Sequence, residues 1–354
     1  ILFVIVAVVY AVETPDRNKN NQNRIGAVFN GAVSDRGWNG KNYEGLLNAC
    51  NEVGTILITE ERVAVGREEE TAAVHRLIEN DCTIIFLTDF DYTDKIPDII
   101  KANPNINFYA VAGSDFKSKN LTYYAARSYE ARYISGILAG YSSNSGKAGY
   151  ISEYDNNASK TEINAFVTGF RKVNHSAELH VIYKKDESDE NRKLVDKLAA
   201  KGCDCISSDG ECSEIMDEAE KLNLYTIGCY EDRTSIYDKN LVNICCDLTE
   251  LYRCILSDCI IESDYENHLL FDNCIYVGMK DGIFLMTSYG KAVSKEAVMV
   301  AEREIAGLEN SYTVFSGNIR DTNGLYRCLK GENIPDNLLL KGIDWYARGV
   351  LVDE

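Results

Sequence analysis

Within five residues, the stretch GAVSDRGWNG (31–40) places Asp35, Trp38 and Asn39 directly after the apolar run RIGAVFN. A carboxylate, an indole and a carboxamide at this spacing suit recognition of a flat, hydrogen-bonding molecule. The indole supplies a face, and the acid and amide supply acceptors and donors for its edge. The same residue types recur further on. Asp89, Phe90 and Tyr92 follow CTIIFL, and Gly113, Ser114 and Asp115 follow INFYAVA. In the second half of the chain Glu153, Ser207 to Asp209 and Tyr230 to Asp232 follow comparable apolar runs. Aromatic faces and carboxylates dominate this set, so a purine or nucleoside fits it and a free phosphate does not. Each residue also has a plainer use. Short acids such as Asp35 and Asp232 cap helices after strands, Trp38 can plug the packing of a lobe, and Phe90 and Tyr92 can be core. The convergence of the set carries the reading.

An alternation of short apolar runs and amphipathic stretches must position these side chains. RIGAVFN reads as a strand, GKNYEGLLNACNEVG as a helix closed by Gly54, and TILITEE as a strand. REEETAAVHRLIEND reads as a helix with acids in its first turn, where the helix dipole favours them. CTIIFLTD, TDKIPDIIKANP and INFYAVAG continue the pattern. It restarts at KAGYISEY and runs through SKTEINAFVTGFRKVN, ELHVIYKK, DENRKLVDKLAAKG, CDCISSD, CSEIMDEAEKLN and LYTIGCYED. Two such series predict two α/β lobes, each a parallel sheet flanked by helices. Lobe 1 is expected at 24–143, lobe 2 at 144–245, and segments crossing back between the lobes over 246–354. Ligands of open parallel sheets bind beyond the carboxyl ends of the strands, where the residues above fall.

A formal charge of −18 opposes phosphate backbones and anionic membranes, which excludes nucleic acid as a partner. The start, ILFVIVAVVYAV, suits the core of a signal peptide and is too short for a bilayer span. Residues 1–23 are therefore read as a signal-peptide remnant and linker, with Val9-Tyr10-Ala11 at the cleavage position and an extracytoplasmic destination. Twelve cysteines behind such a start imply an oxidising compartment and disulfides or buried thiols. Four histidines and no paired CxxC argue against zinc, so neither a metal nor a cofactor is expected. Three glycosylation sequons begin at Asn120, Asn157 and Asn174.

Catalytic signals fail one by one. GYSSNSGKAG has five residues between Gly140 and Gly146 and alanine after Lys147, where a phosphate loop needs four and a hydroxyl residue. No HExxH, GxSxG or GxGxxG occurs. The chain reads as a binding protein, not an enzyme.

Five segments carry a family resemblance: IGAVFNGAVSDRGWNGKNYEG, YEARYISGILAGYSSNSGKAGYIS, INAFVTGFRKVN, YVGMKDGIFLMTSYGKAVSKE and FSGNIRDTNGLYRCLKGENIPDNLLLKGIDWYARGV. In this order, over residues 24–354, they resemble the basic membrane protein family of ABC-transporter substrate-binding proteins and its purine- and nucleoside-binding branch. The resemblance implies a two-lobed type I periplasmic-binding-protein fold that closes on a purine nucleoside or nucleobase. Its partner would be a membrane permease or a fused signalling domain. Trp38 matches the aromatic on which the family stacks the base, with Asp35 and Asn39 beside it and Phe90 in the segment after the third strand. Asp209 and Asp232 match acidic positions of the second lobe, and Lys280 with Asp281 lies in the matching GMKDG. The chain departs from the family at Leu248, where relatives carry tryptophan, and at Tyr230, where others carry aspartate. Two rival readings remain: a ligand-sensing receptor ectodomain with the same cleft, and a nucleoside-processing enzyme, for which no acidic metal motif follows the first strand.

Overall fold

Four of the five residues of β1 (Arg24–Val28) are buried, the pattern of a strand covered on both faces. It is followed by α1 (Trp38–Val53), β2 (Ile56–Glu60), α2 (Arg67–Glu79), β3 (Cys82–Leu87), α3 (Tyr92–Lys95), α4 (Pro97–Ala102), β4 (Asn107–Val111) and β5 (Leu121–Ala126). The helix α5 (Ser128–Ser142) leads to β6 (Lys147–Ser152), α6 (Asn157–Val173), β7 (Glu178–Tyr183), α7 (Asn191–Ala200), β8 (Cys205–Ser208), α8 (Ser213–Lys221), β9 (Tyr225–Cys229) and β10 (Asn240–Cys246). The remainder comprises α9 (Thr249–Ile261), β11 (Leu270–Phe271), β12 (Cys274–Val277), a 3-10 turn at Met279–Asp281, β13 (Phe284–Met286), α10 (Lys295–Glu309), β14 (Ile319–Arg320), β15 (Tyr326–Cys328), α11 (Asp336–Leu339) and β16 (Val350–Asp353). This computed structural model describes residues 23–353 apart from Arg36, 186–189, Glu211, 262–269, 272–273 and Ser311. The expected leader, with its cleavage position at Val9-Tyr10-Ala11, lies outside the described residues.

The strands form two seven-stranded sheets, ordered β2-β1-β3-β4-β5-β12-β11 and β16-β7-β6-β8-β9-β10-β13. Within these two sheets all pairings are parallel except those of the edge strands β11 and β13, and β14 and β15 form a separate antiparallel pair. The fold class is the expected one: two parallel sheets flanked by helices. Strand order reverses at β1, which pairs with β2 and β3, and again at β6, which pairs with β7 and β8. The chain passes between the sheets three times, after β5, after β10 and after β12.

Local chemistry explains most elements. The Gly54 C-cap of α1 takes a φ of 73°, which glycine adopts without penalty. Glu68, Glu69 and Glu70 fill the first turn of α2, as expected. TDKIPDIIKANP is divided because Pro97 starts α4, leaving α3 a single turn. Before β5, the Asn120 amide donates to the carbonyls of Ile100, Asn103 and Ile106 at 2.9, 2.9 and 3.0 Å. That amide therefore shapes a turn instead of offering a free acceptor for a glycan. Among the described cysteines, Cys50, Cys82, Cys203, Cys205, Cys212, Cys229 and Cys328 are buried thiols, and Cys245 and Cys246 are partly buried thiols.

Although α5 precedes the boundary expected at 143, it packs along α6 of the second sheet. The approach is close enough to need glycine on both helices. A Cβ on Gly169 would lie 2.0 Å from the Tyr133 carbonyl oxygen, and one on Gly136 2.1 Å from that of Phe166. Backbone cannot swing aside as a side chain can. Gly169→Ala should cost about 1–3 kcal/mol through overpacking, more than the ~1 kcal/mol it gains in helix propensity. Thermal unfolding checks this; an unchanged or raised Tm would mean the helices separate at no cost.

Candidate functional site

Each reversal of strand order leaves a crevice where neighbouring loops diverge to opposite faces of the sheet. In the first sheet it is bounded by the loops after β1 and β3, in the second by those after β6 and β8. Asp35, Trp38, Asn39 and Phe90 belong to the first pair, and Asp209 to the second.

Asp35 organises the first crevice by capping α1. Its Oδ1 accepts hydrogen bonds from the backbone N–H of Gly37 (3.0 Å) and Gly40 (2.7 Å), and its Oδ2 accepts one from Asn39 Nδ2 (2.9 Å). The negative charge also opposes the positive end of the helix dipole. Asn39 Oδ1 in turn accepts from the Gly31 N–H at 3.3 Å. With the helix start fixed in this way, Trp38 directs its indole N–H to the Thr88 carbonyl at the end of β3, 2.9 Å away. Its ring lies nearly parallel to that of Phe90, with centroids 6.1 Å apart and an interplanar angle of 20°. Phe90 is 39% exposed, a large apolar ring left in solvent beside carboxylates. Gly113 allows the Phe90 loop to come close, since a Cβ there would meet the Phe90 carbonyl oxygen at 2.8 Å. Asp89 accepts hydrogen bonds from Asn30 Nδ2 and the Asp91 N–H, and burial raises its carboxyl above the usual range.

Tyr92 corrects the expected set. It is fully buried, and its hydroxyl donates to the Val63 carbonyl at 2.7 Å. Starting α3, it turns inward while Phe90, two residues earlier, faces out.

In the second crevice Asp209 Oδ1 accepts from the Glu153 N–H at 2.8 Å, and its Oδ2 accepts from Ser152 Oγ. Tyr230 donates its hydroxyl to the Asp209 carbonyl at 3.1 Å. Tyr230 holds a φ of 67°, unusual for an aromatic residue, and the Glu231 N–H bonds back to the Cys229 carbonyl at 2.9 Å. Below this tip lies an ion pair absent from the expected site. Arg132 Nε donates to Glu162 Oε2 at 3.0 Å, and its Nη1 donates to the Ser208 carbonyl at 3.0 Å. Nothing local marks Arg132, because a helical arginine is ordinarily a surface residue.

Electrostatic proximity and a shared cavity relate the two lobes across the gap. Tyr154, after β6, is 62% exposed, and the carboxylates of Glu153 and Asp209 in its own lobe and of Asp89 and Asp35 in the first lobe lie near enough to act on its phenol. Lys41 on α1 is raised chiefly by its bond to Glu44, with Glu231 and Cys245 of the second lobe contributing. A cavity of ≈ 330 Å³ is lined by Asp35, Lys41, Tyr43 and Glu44 together with Glu231.

Two expected residues stand apart. Asp232 is exposed and spends Oδ1 on the Thr234 N–H and hydroxyl, at 3.0 and 2.6 Å, so it holds its own turn. Lys280 is exposed on the 3-10 turn at the third crossing. Leu248, one of the departures from the family pattern, is buried against α1, where a Cβ on Gly45 would lie 2.8 Å from its own Cβ.

Burial pushes the Asp209 carboxyl up to about 6. The folded chain therefore holds a proton there that the unfolded chain has released, and stability falls as pH rises from about 4 to about 6. An order-of-magnitude loss of roughly 2–3 kcal/mol belongs to this one group. Asp209→Asn abolishes the titration, so the variant should gain Tm relative to the wild type between pH 4 and pH 7. A Tm difference that stays flat over that window would remove the assignment.

Comparison with known proteins agrees with this architecture. Residues 22–313 match the Bmp family, described as ABC transporter substrate-binding protein PnrA-like. The chain belongs to that family, and is accordingly a solute-binding protein and not an enzyme. A purine-binding protein of Brucella abortus is 24% identical over 335 residues, covering 92% of either chain. A putative ABC transporter glucose-binding protein of Haloferax volcanii is 25% identical over 327 residues, covering 91% of this chain and 79% of that one. Among solved structures, an ABC transporter solute-binding protein of Aeropyrum pernix superimposes with a TM-score of 0.67 at 12% identity, over 81% of this chain and 91% of that one. That likeness concerns the fold. No helix among the described residues is long and apolar enough to cross a membrane.

Proposed function

We propose that the chain encloses an uncharged purine nucleoside or purine base between its lobes, outside the cytoplasm, for delivery to a membrane permease. One observation carries the proposal: the exposed Phe90 ring lying parallel to the Trp38 indole at the switch point of the first sheet. A flat heterocycle gains stacking there, while a sugar offers no comparable π-face. Hydrogen-bonding groups lie at the strand ends of both sheets, and most are acidic: Asp35 and Asp89 in the first lobe, Glu153 and Asp209 in the second. They accept from amino, imino and hydroxyl groups and repel a phosphate, which favours nucleosides over nucleotides. The name of the Brucella relative is consistent with this choice; the Haloferax one supplies the competing hypothesis.

Calorimetry with adenosine, guanosine, inosine, the free bases, AMP and glucose tests the proposal. At least one nucleoside or base should bind with micromolar or tighter affinity, about −8 kcal/mol or beyond, with AMP much weaker. Binding of glucose alone would replace the purine reading with a sugar-binding one.

A further inference from the structure

We propose that Cys212 and Cys229 are a disulfide-forming pair that staples the cleft-facing tip of the second lobe. Sixteen residues separate them in the chain. Adjacent parallel strands bring them together: Cys229 ends β9, and Cys212 lies on the loop leaving β8, at the N-cap of α8. Cys212 Sγ lies 3.4 Å from the Cys229 backbone nitrogen and 3.6 Å from its carbonyl oxygen. Cys229 Sγ donates to the Gly210 carbonyl at 2.8 Å, two residues before Cys212 on the same loop. Both are nearly buried, 3% and 5% exposed, in a small cluster with Met216 and Tyr237.

The environment makes the two sulfurs unequal. The hydrogen bond from Cys229 lowers the Cys212 thiol below its ordinary range, and the positive charges of Arg233 and Arg132 act in the same direction. Cys229 is raised by the same hydrogen bond and by burial. Cys212 is thus the attacking thiolate. It attacks one sulfur of a small-molecule disulfide, forms a mixed disulfide and expels one thiolate. Cys229 then loses its proton, attacks the Cys212 sulfur and expels the second thiolate. Two protein thiols and one external disulfide become one protein disulfide and two external thiols, two electrons passing to the oxidant. The product ties the loop after Asp209 to the residue before Tyr230, whose positive φ needs a rigid surround. The pairing is independent of which solute the cleft holds.

The test uses the whole chain, folded, equilibrated in mixtures of reduced and oxidised glutathione, trapped with N-ethylmaleimide and mapped by mass spectrometry after digestion. A peptide pair joined through Cys212 and Cys229, 2 Da lighter than the two thiol peptides, should accumulate as the oxidised fraction rises. The oxidised chain should melt several degrees above the reduced one. Cys245→Ser, which alters a partly buried thiol on the neighbouring β10, should leave the cross-link intact. Cys212 found paired with Cys245, or both thiols alkylated at the most oxidising ratio while circular dichroism shows the native fold, would overturn the proposal. Mapping the unaltered chain needs no variant to fold.

Discussion

Trp38→Ala should weaken nucleoside binding by about 1–3 kcal/mol, roughly 5- to 150-fold, the range for removing one aromatic face from a stacked base. Phe90→Ala should do the same, and the double variant should lose less than the sum, because parallel rings that share a ligand are coupled. Trp38→Phe keeps a face but gives up the hydrogen bond to the Thr88 carbonyl, so it should fall between the wild type and alanine. Titration calorimetry gives the affinities and a melting curve separates them from stability. Trp38 also packs on the first lobe's core, so some loss of Tm accompanies the alanine variant. An alanine variant with lowered Tm but unchanged nucleoside affinity would make the indole a packing residue and sink the stacking claim.

Arg132→Met should be the most destabilising single change at the site. It leaves Glu162 without its cation, with Ser128 Oγ still donating to Oε1, and takes the guanidinium donor from the Ser208 carbonyl. Removing one member of a fully buried pair costs about 3–5 kcal/mol; Glu162 keeps 22% of its side chain in solvent, so about 2–3 kcal/mol is expected. For a chain of 354 residues, at about 2.1 cal/mol/K per residue, that is a Tm loss of roughly 3–4 °C. Arg132→Met combined with Glu162→Leu removes both charges and should recover much of the loss. If the double variant is no more stable than the single one, the cost arises from packing over the Tyr150 ring, which lies 5.6 Å from the guanidinium. Ser208 immediately precedes Asp209, so the single variant should also disturb the second crevice and weaken binding.

The alternation of apolar runs was legible because buried parallel strands need continuous hydrophobicity and their covering helices need a period of 3.6. That was enough to locate both lobes and to put Asp35, Trp38, Asn39, Phe90 and Asp209 at strand ends. It was not enough for β5, since LTYYAA lies close behind a polar turn and lacks a long apolar run. Nor did it separate Phe90 from Tyr92. Two aromatics two residues apart look alike in a list, and only the turn into α3 sends one to solvent and the other to Val63. Asp232 shows the same limit: its Oδ1 holds a local turn, and a list of strand-end acids does not separate it from Asp209.

By itself, then, the amino-acid order determined the two α/β lobes, the strand ends that bear polar and aromatic groups, and the acidic composition. These are local or compositional properties, carried by windows of a few residues. Tertiary structure alone decided which tips meet. The reversals of strand order at β1 and β6 open the crevices, and three crossings turn them toward each other. The Arg132–Glu162 pair and the Cys212–Cys229 approach join residues 30 and 17 positions apart. Such contacts depend on strand order and helix crossing, which are long-range consequences of packing and leave no periodic trace along the chain.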